Sequence, residues 1–316
     1  MSEQPFSCIV YINNQVYCPV KRIALLISLI TSSLLIAQAA NPIVTITDIT
    51  GARIEISNTA RVVTLGSSLT EIVYALKAEN RLIAVDATSN YPNVAKNLIQ
   101  LPSTRSVGIE GILSTKPSLV LTLDTALPET IAALRKFNIP TVVISAKENL
   151  ENAENKIRFV AQALSLESQG QDLIRTYKKD LALAKAKYSS IRTRPKVMFL
   201  YSGSNGRITV SGRDTAADAI IKLAGGINPF QSYTGYAPLS QEATLLANPD
   251  AILMTNLGFS SVGAEGILKL PGLANTTAGR NQRFLGFEGN YLLGFGPRVG
   301  KAVLELMYTL HPELKK

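Results

Sequence analysis

A short helix that stops at a proline and feeds an apolar strand occurs twice in this chain, and the two copies restrict the fold more than any other feature. The first runs Glu110-Gly-Ile-Leu-Ser-Thr-Lys-Pro117 into Leu119-Val120-Leu121. The second runs Gln241-Glu242-Ala-Thr-Leu-Leu-Ala-Asn-Pro249 into Ala251-Ile252-Leu253-Met254. Each Glu stands seven residues before its Pro, and the copies are offset by 132 residues. Proline cannot donate to the helix ladder, and an unbroken apolar run suits a parallel strand buried on both faces. Two such units at equal spacing predict two similar α/β lobes, each offering one carboxylate in the first turn of a short helix. Chance similarity between two ordinary αβ units is the competing reading, because short periodic matches arise easily.

The surrounding pattern agrees with two lobes. Val44–Ile56 alternates around Gly51 and reads as a β-hairpin. Arg61–Leu65 reads as a buried strand, and Gly66-Ser67-Ser68 as the cap of a helix with Leu69, Ile72, Val73 and Leu76 on one face. Leu82–Val85 and Thr141–Ile144 are further strands, so the first lobe is expected to be a doubly wound parallel sheet. From Glu167 to Tyr188, Leu173, Ile174, Tyr177, Leu181 and Ala184 recur at helical spacing with no Pro. Such a helix spans roughly 30 Å, enough to cross between lobes. The second lobe is expected to hold the strand Lys196–Tyr201, a loop Ser202–Ser211, a helix Thr215–Leu223 and a terminal helix Pro297–Leu310. The domain expectation is a leader at 1–39, an N-terminal lobe at 40–148, connecting helices at 149–191 and a C-terminal lobe at 192–316.

The start of the chain bears on compartment. Lys21-Arg22, the apolar run from Ile23 and a small-x-small site at Ala37-Gln38-Ala39 have the form of a secretory signal peptide. The run is short of the ~20 apolar residues that span a membrane, so an uncleaved anchor is the lesser alternative. Residues 1–19 do not suit a signal peptide, and a start at Val20 is expected if its codon is GTG. Cleavage after Ala39 removes Cys8 and Cys18, leaving no thiolate, disulfide or Cys metal site. It also removes Lys21, Arg22 and Glu3, which leaves 30 basic and 22 acidic residues, a net charge of +8. The charges are scattered, which argues against nucleic acid and is compatible with an anionic ligand or a membrane surface. A soluble periplasmic protein is expected.

Several segments resemble the periplasmic binding proteins whose lobes are joined by one spanning helix, the group serving importers of vitamin B12, siderophores and haem. They are Arg61–Glu71, Asp86-Ala-Thr-Ser-Asn-Tyr-Pro92, Gly212–Asp218 with Ala224-Gly-Gly226, and Gly289-Asn-Tyr-Leu-Leu-Gly-Phe-Gly-Pro-Arg298. The haem-binding branch is the nearest likeness. The resemblance implies two doubly wound lobes, a ligand in the cleft between them, and haem as transported cargo rather than catalytic cofactor. It implies delivery to the membrane subunits of an ABC transporter, a dimer with an ATPase, with an outer-membrane haem receptor upstream. A monomer is expected. A siderophore or cobalamin is the alternative ligand.

Haem iron needs an axial His, Cys, Met or Tyr. The only His, His311, lies in the polar C-terminal tail, and Met198 and Met254 fall in apolar runs. Tyr91 lies in a polar loop past a strand's C-terminal end, where α/β folds bind ligands, and the resemblance points to the same residue. The alternative is a surface tyrosine packed on its lobe. Arg105 and Arg213 lie in loops expected to face the cleft and suit propionates; helix capping or pairing with Asp214 or Glu110 is equally open. Tyr236 is a candidate wall of the cleft. No second-lobe His is available, so five-coordinate iron is expected. Tyr291 and Arg298 are open to the plainer role of holding the second lobe together. Glu110 and Glu242 are expected to dock on the transporter, as the resemblance also implies; an acid's favourable place in a helix's first turn explains the repeat equally.

An enzyme is the rival class. Gly66-Ser67-Ser68 and Ser202-Gly203-Ser204 do not form Gly-x-Ser-x-Gly, a serine nucleophile lacks a nearby His, and no phosphate-binding glycine loop is present. Catalysis is not expected.

Overall fold

A computed structural model describes residues 11–12, 15–16, 43–202 and 207–315. It divides into two compact units, residues 1–42 and 43–316. In the first, the strands Tyr11–Ile12 and Gln15–Val16 pair antiparallel. The expected leader, its cleavage site and both cysteines otherwise lie outside the described residues.

The second unit contains two five-stranded sheets. In the first the order is Ile99–Leu101, Leu82–Asp86, Val62–Leu65, Leu119–Leu123, Thr141–Ile144, all parallel. Val62–Leu65 and Thr141–Ile144 are buried along their whole length, as apolar runs covered by helices on both faces must be. The hairpin pairs Val44 with Ile56. The helix Ser67–Ala75 buries the four expected apolar residues. Its cap is the backbone of Gly66, at φ 133°, with no serine hydroxyl bonded there. A Cβ on Gly66 would come within 2.7 Å of Leu123, so the position requires glycine.

The second sheet is mixed. Its order is Tyr236–Pro238, Ile208–Ser211, Val197–Ser202, Ala251–Thr255, Phe284–Phe287, and the first three strands pair antiparallel. The expected loop Ser202–Ser211 therefore ends in a strand, and residues 203–206 lie outside the described residues. The connection is too short for the crossover a parallel neighbour needs, so the chain doubles back. Thr215 is the cap of the next helix, Ala216–Leu223, accepting from the Asp218 amide.

The duplicated unit occupies equivalent places. Leu119–Leu123 and Ala251–Thr255 each lie beside the central strand of their sheet, and the short helices Ile109–Ser114 and Gln241–Ala247 precede them. Both copies leave the helix through a left-handed residue just before the proline, Lys116 at φ 52° and Asn248 at φ 41°. The turn is thus made by the residue before proline, and the proline blocks any continuation.

The spanning helix runs Glu167–Tyr188. Ile174 packs in the first lobe's core, while Tyr177 and Ala184 pack in the second's. Gly170 is a point of close approach: a Cβ there would meet the Ala161 Cβ at 2.5 Å. The terminal helix Val299–Leu310 approaches as closely, a Cβ on Gly300 falling 2.6 Å from the Asp180 Cβ. A helix seated in both cores without an internal proline has no ready kink. Small-angle scattering with and without ligand should therefore differ by less than about 1 Å in a radius of gyration of roughly 19 Å. A larger contraction would reveal a wide hinge.

Candidate functional site

A cleft of about 1650 Å³ opens between the two sheets. Its walls are built from the segments just past the C-terminal ends of strands in both lobes: Thr88 and Asn90, Thr125, Lys147 to Asn149, Thr255, and Glu288 to Asn290. This is where open α/β sheets place ligands. The volume exceeds the roughly 300–1,000 Å³ of ordinary small-molecule pockets. The N-terminal ends of the helices Ser67–Ala75, Leu150–Ala163, Ala216–Leu223 and Asn256–Lys269 also reach the wall. Their positive dipole ends favour an anionic guest.

The Tyr91 loop is held by one carboxylate. Asp86 is fully buried and accepts from the Thr88 hydroxyl at 2.8 Å, the Ser89 hydroxyl at 2.8 Å and the Thr104 hydroxyl at 2.9 Å. It thereby fixes both the loop leading to Tyr91 and the one carrying Arg105. Tyr91 stands 43% exposed, next to cleft-lining Asn90, and its bond to Pro92 is cis.

The Arg298 guanidinium lies 3.4 Å from the centre of the Tyr91 ring. Its Nε and Nη2 donate to Glu71 at 2.7 and 2.8 Å, a bidentate pair with a carboxylate residue only 5% exposed. Burial opposes the Arg298 charge, but the hydrogen bond and charge of Glu71 outweigh it and hold the group above its ordinary pKa. Arg298 therefore does more than hold the second lobe together: it bonds to the first lobe and covers the Tyr91 ring. Asn290, from the same segment, donates to the Thr88 carbonyl at 2.8 Å and to Asn90 Oδ1 at 2.9 Å. Tyr291 serves its own lobe, donating to Glu305 at 2.9 Å, and burial pushes its phenol upward.

Arg105 lines the cleft and acts on Glu148; among the described residues it bonds to neither Asp214 nor Glu110. Arg213 is exposed and donates to Thr234 at 3.4 Å, while its neighbour Asp214 lines the cleft in its place. Tyr236 packs its ring 5.7 Å from that of cleft-lining Tyr201, and burial, with Glu148 and Tyr201 nearby, pushes its phenol up to about 12. Glu110 and Glu242 are exposed in the first turns of their helices, and among the described residues neither carboxylate has a hydrogen bond or ion pair. His311 differs from its expected place in a polar tail. It is 1% exposed, and its Nε2 has no partner among the described residues. His311→Ala would therefore open a buried cavity as well as remove a donor.

Lys156 and Glu148 escaped the sequence reading. Lys156 lines the cleft yet is 1% exposed, on the helix Leu150–Ala163. A signal existed: its spacing from Ala153 and Val160 puts a lysine on the apolar stripe. Burial lowers its pKa to about 8, resisted by Glu148 and Asp124. Burial likewise raises the Glu148 carboxyl, against the pull of Lys156 and Arg105. The lysine consequence is measurable. Below pH 8 both folded and unfolded chains carry the proton, and the full burial penalty stands. Between about 8 and the ordinary lysine value the folded chain loses its proton first, so stability should rise with pH. Lys156→Met should abolish that rise and add about 3 kcal/mol at pH 7, from roughly 1.4 kcal/mol per pKa unit. Denaturant titrations at pH 7 and 9.5 would check both, and an unchanged or lowered stability of the variant at pH 7 would refute the account.

Residues 62–290 match the family described as periplasmic binding protein. The periplasmic haem-binding protein RhuT from Roseiflexus sp. RS-1, in apo form, superposes with a TM-score of 0.78 at 37% identity, over 81% of this chain and all of that one. The periplasmic haem-binding protein BhuT, solved with two haems, gives 0.76 at 33% identity, over 80% of this chain and 98% of that one. The vitamin B12-binding protein of Vibrio parahaemolyticus is 28% identical over 251 residues, 78% of this chain and 87% of that protein.

Proposed function

The chain belongs to the periplasmic binding protein family, and we propose that it captures haem between its lobes in the periplasm and delivers it to an ABC importer. The observation that carries this reading is Tyr91 beside the cleft with the Arg298 cation against its ring. Iron in haem needs an axial donor, and the other donor types among the described residues are occupied elsewhere. Met198, Met254 and Met307 are fully buried, and His311 is enclosed near Gly225. Tyr291 donates to Glu305 within its own lobe, and Tyr236 stands in an edge strand with its ring against Tyr201. Tyr91 supplies the bond, and Arg298 compensates the anionic oxygen.

Arg105 faces the propionates across the anion-favouring cleft, and the likeness to RhuT and BhuT supports haem over other guests. Glu110 and Glu242 dock the loaded protein on paired membrane subunits, in keeping with their exposed and equivalent positions. The protein acts as a monomeric carrier, without catalysis, downstream of an outer-membrane receptor and ahead of the importer's ATPase. Cobalamin is the second reading, favoured by the vitamin B12-binding relative. Absorbance spectra after mixing with haemin or cobalamin and desalting decide between them. A retained, shifted haemin spectrum is expected. Haemin lost on the column, with cobalamin retained, would overturn the proposal.

A further inference from the structure

Lys156 is unused by the function as argued so far, and its setting is costly for a cation. It comes from the helix Leu150–Ala163, beneath the cleft, with 1% of its surface exposed. An ammonium carries three N–H donors. The one bond formed among the described residues is to the Gly294 carbonyl, at 3.3 Å, across the cleft in the second lobe. Glu148 and Asp124 attract it from a distance without forming an ion pair. A buried charge with donors to spare is normally paired or neutralised. This one borders the cleft between the lobes, among helix N-termini that favour anions.

We propose that the Lys156 ammonium is an anchor for a carboxylate of the bound ligand, which on the haem reading above is a propionate. The group is buried in the wall of the cleft, and a carboxylate there would take up its spare donors. Glu148 and Asp124 hold the charge in place while the cleft is empty. Arg105 shares the wall and is exposed, so it meets a second carboxylate nearer solvent.

The test compares haemin with its dimethyl ester, in which both carboxylates are blocked, on wild type and Lys156→Met. Removing one charged hydrogen-bonded contact should weaken haemin binding roughly 10- to 100-fold. Affinity for the ester should not change, and the visible spectrum of the iron–tyrosinate complex should persist in both proteins. Undiminished haemin affinity in the variant would overturn the anchor, and so would an equal loss for haemin and ester, which would mark Lys156 as a packing residue. If wild type binds neither form, the haem reading itself falls, and this proposal with it. Lys156→Gln, which keeps length and polarity without charge, should behave as Lys156→Met does; wild-type behaviour from the glutamine variant would show that charge is not what the site requires.

Discussion

Tyr91→Phe should abolish tight haemin binding while leaving the fold unchanged. The substitution deletes one oxygen and keeps the ring that packs under Arg298 at 3.4 Å. Loss of an outer partner of a metal ligand commonly weakens a site about 10- to 100-fold, and loss of the ligand itself should exceed that range. The loss should appear in titrations followed by absorbance, together with disappearance of the tyrosinate charge-transfer bands. The phenylalanine variant is more informative than Tyr91→Ala, which also removes the ring and frees the Arg298 face. Wild-type affinity in Tyr91→Phe would mean that the iron is held by another group, or that the ligand is not haem. Glu71→Gln should fall between: it leaves Tyr91 in place but weakens the bidentate pair that fixes the guanidinium.

Glu110→Ala combined with Glu242→Ala should eliminate transporter stimulation and haem uptake without altering haemin affinity. Both carboxylates are exposed and lack partners among the described residues, in short helices before equivalent strands of two related sheets. A pair of acids, one per lobe, suits a receiver presenting two copies of one basic patch. Association should weaken steeply with salt, since exposed charges are screened beyond ~8 Å at physiological ionic strength. The alternative role in the helix dipole is small, about 0.3–1 kcal/mol for each acid. Normal uptake by the double variant, with stability lowered by that amount, would leave only the dipole role.

The parts of this fold that follow from local pattern are those in which each residue's face is set by its neighbours. The spanning helix begins at Glu167 and ends at Tyr188 in sequence pattern and structure alike, because apolar spacing and the absence of proline are local properties. The repeated strands are likewise readable, since Leu119–Leu123 and Ala251–Thr255 are continuous apolar runs behind a proline. Tyr91 could be put forward from its place in a polar loop past a strand's C-terminal end, together with the family resemblance. Direction of pairing was less legible: Ile208–Ser211 is too short to carry a clear period, and it became a strand by pairing with Val197–Ser202.

What the sequence alone determined is the two-lobed α/β plan and the helix that joins the lobes; the residues proposed to meet iron or a transporter were picked out from it as candidates. What only the tertiary structure decided is which charges act together. Arg298 reaches Glu71 across 227 positions of sequence and lies on Tyr91. Lys156 is buried against Gly294 across 138. His311, polar and near the end of the chain, is enclosed. Periodicity reports which face of an element is apolar; it carries no information about which distant element covers that face. Pairing and desolvation depend on that cover, so the electrostatics of the cleft exist only once the lobes have packed.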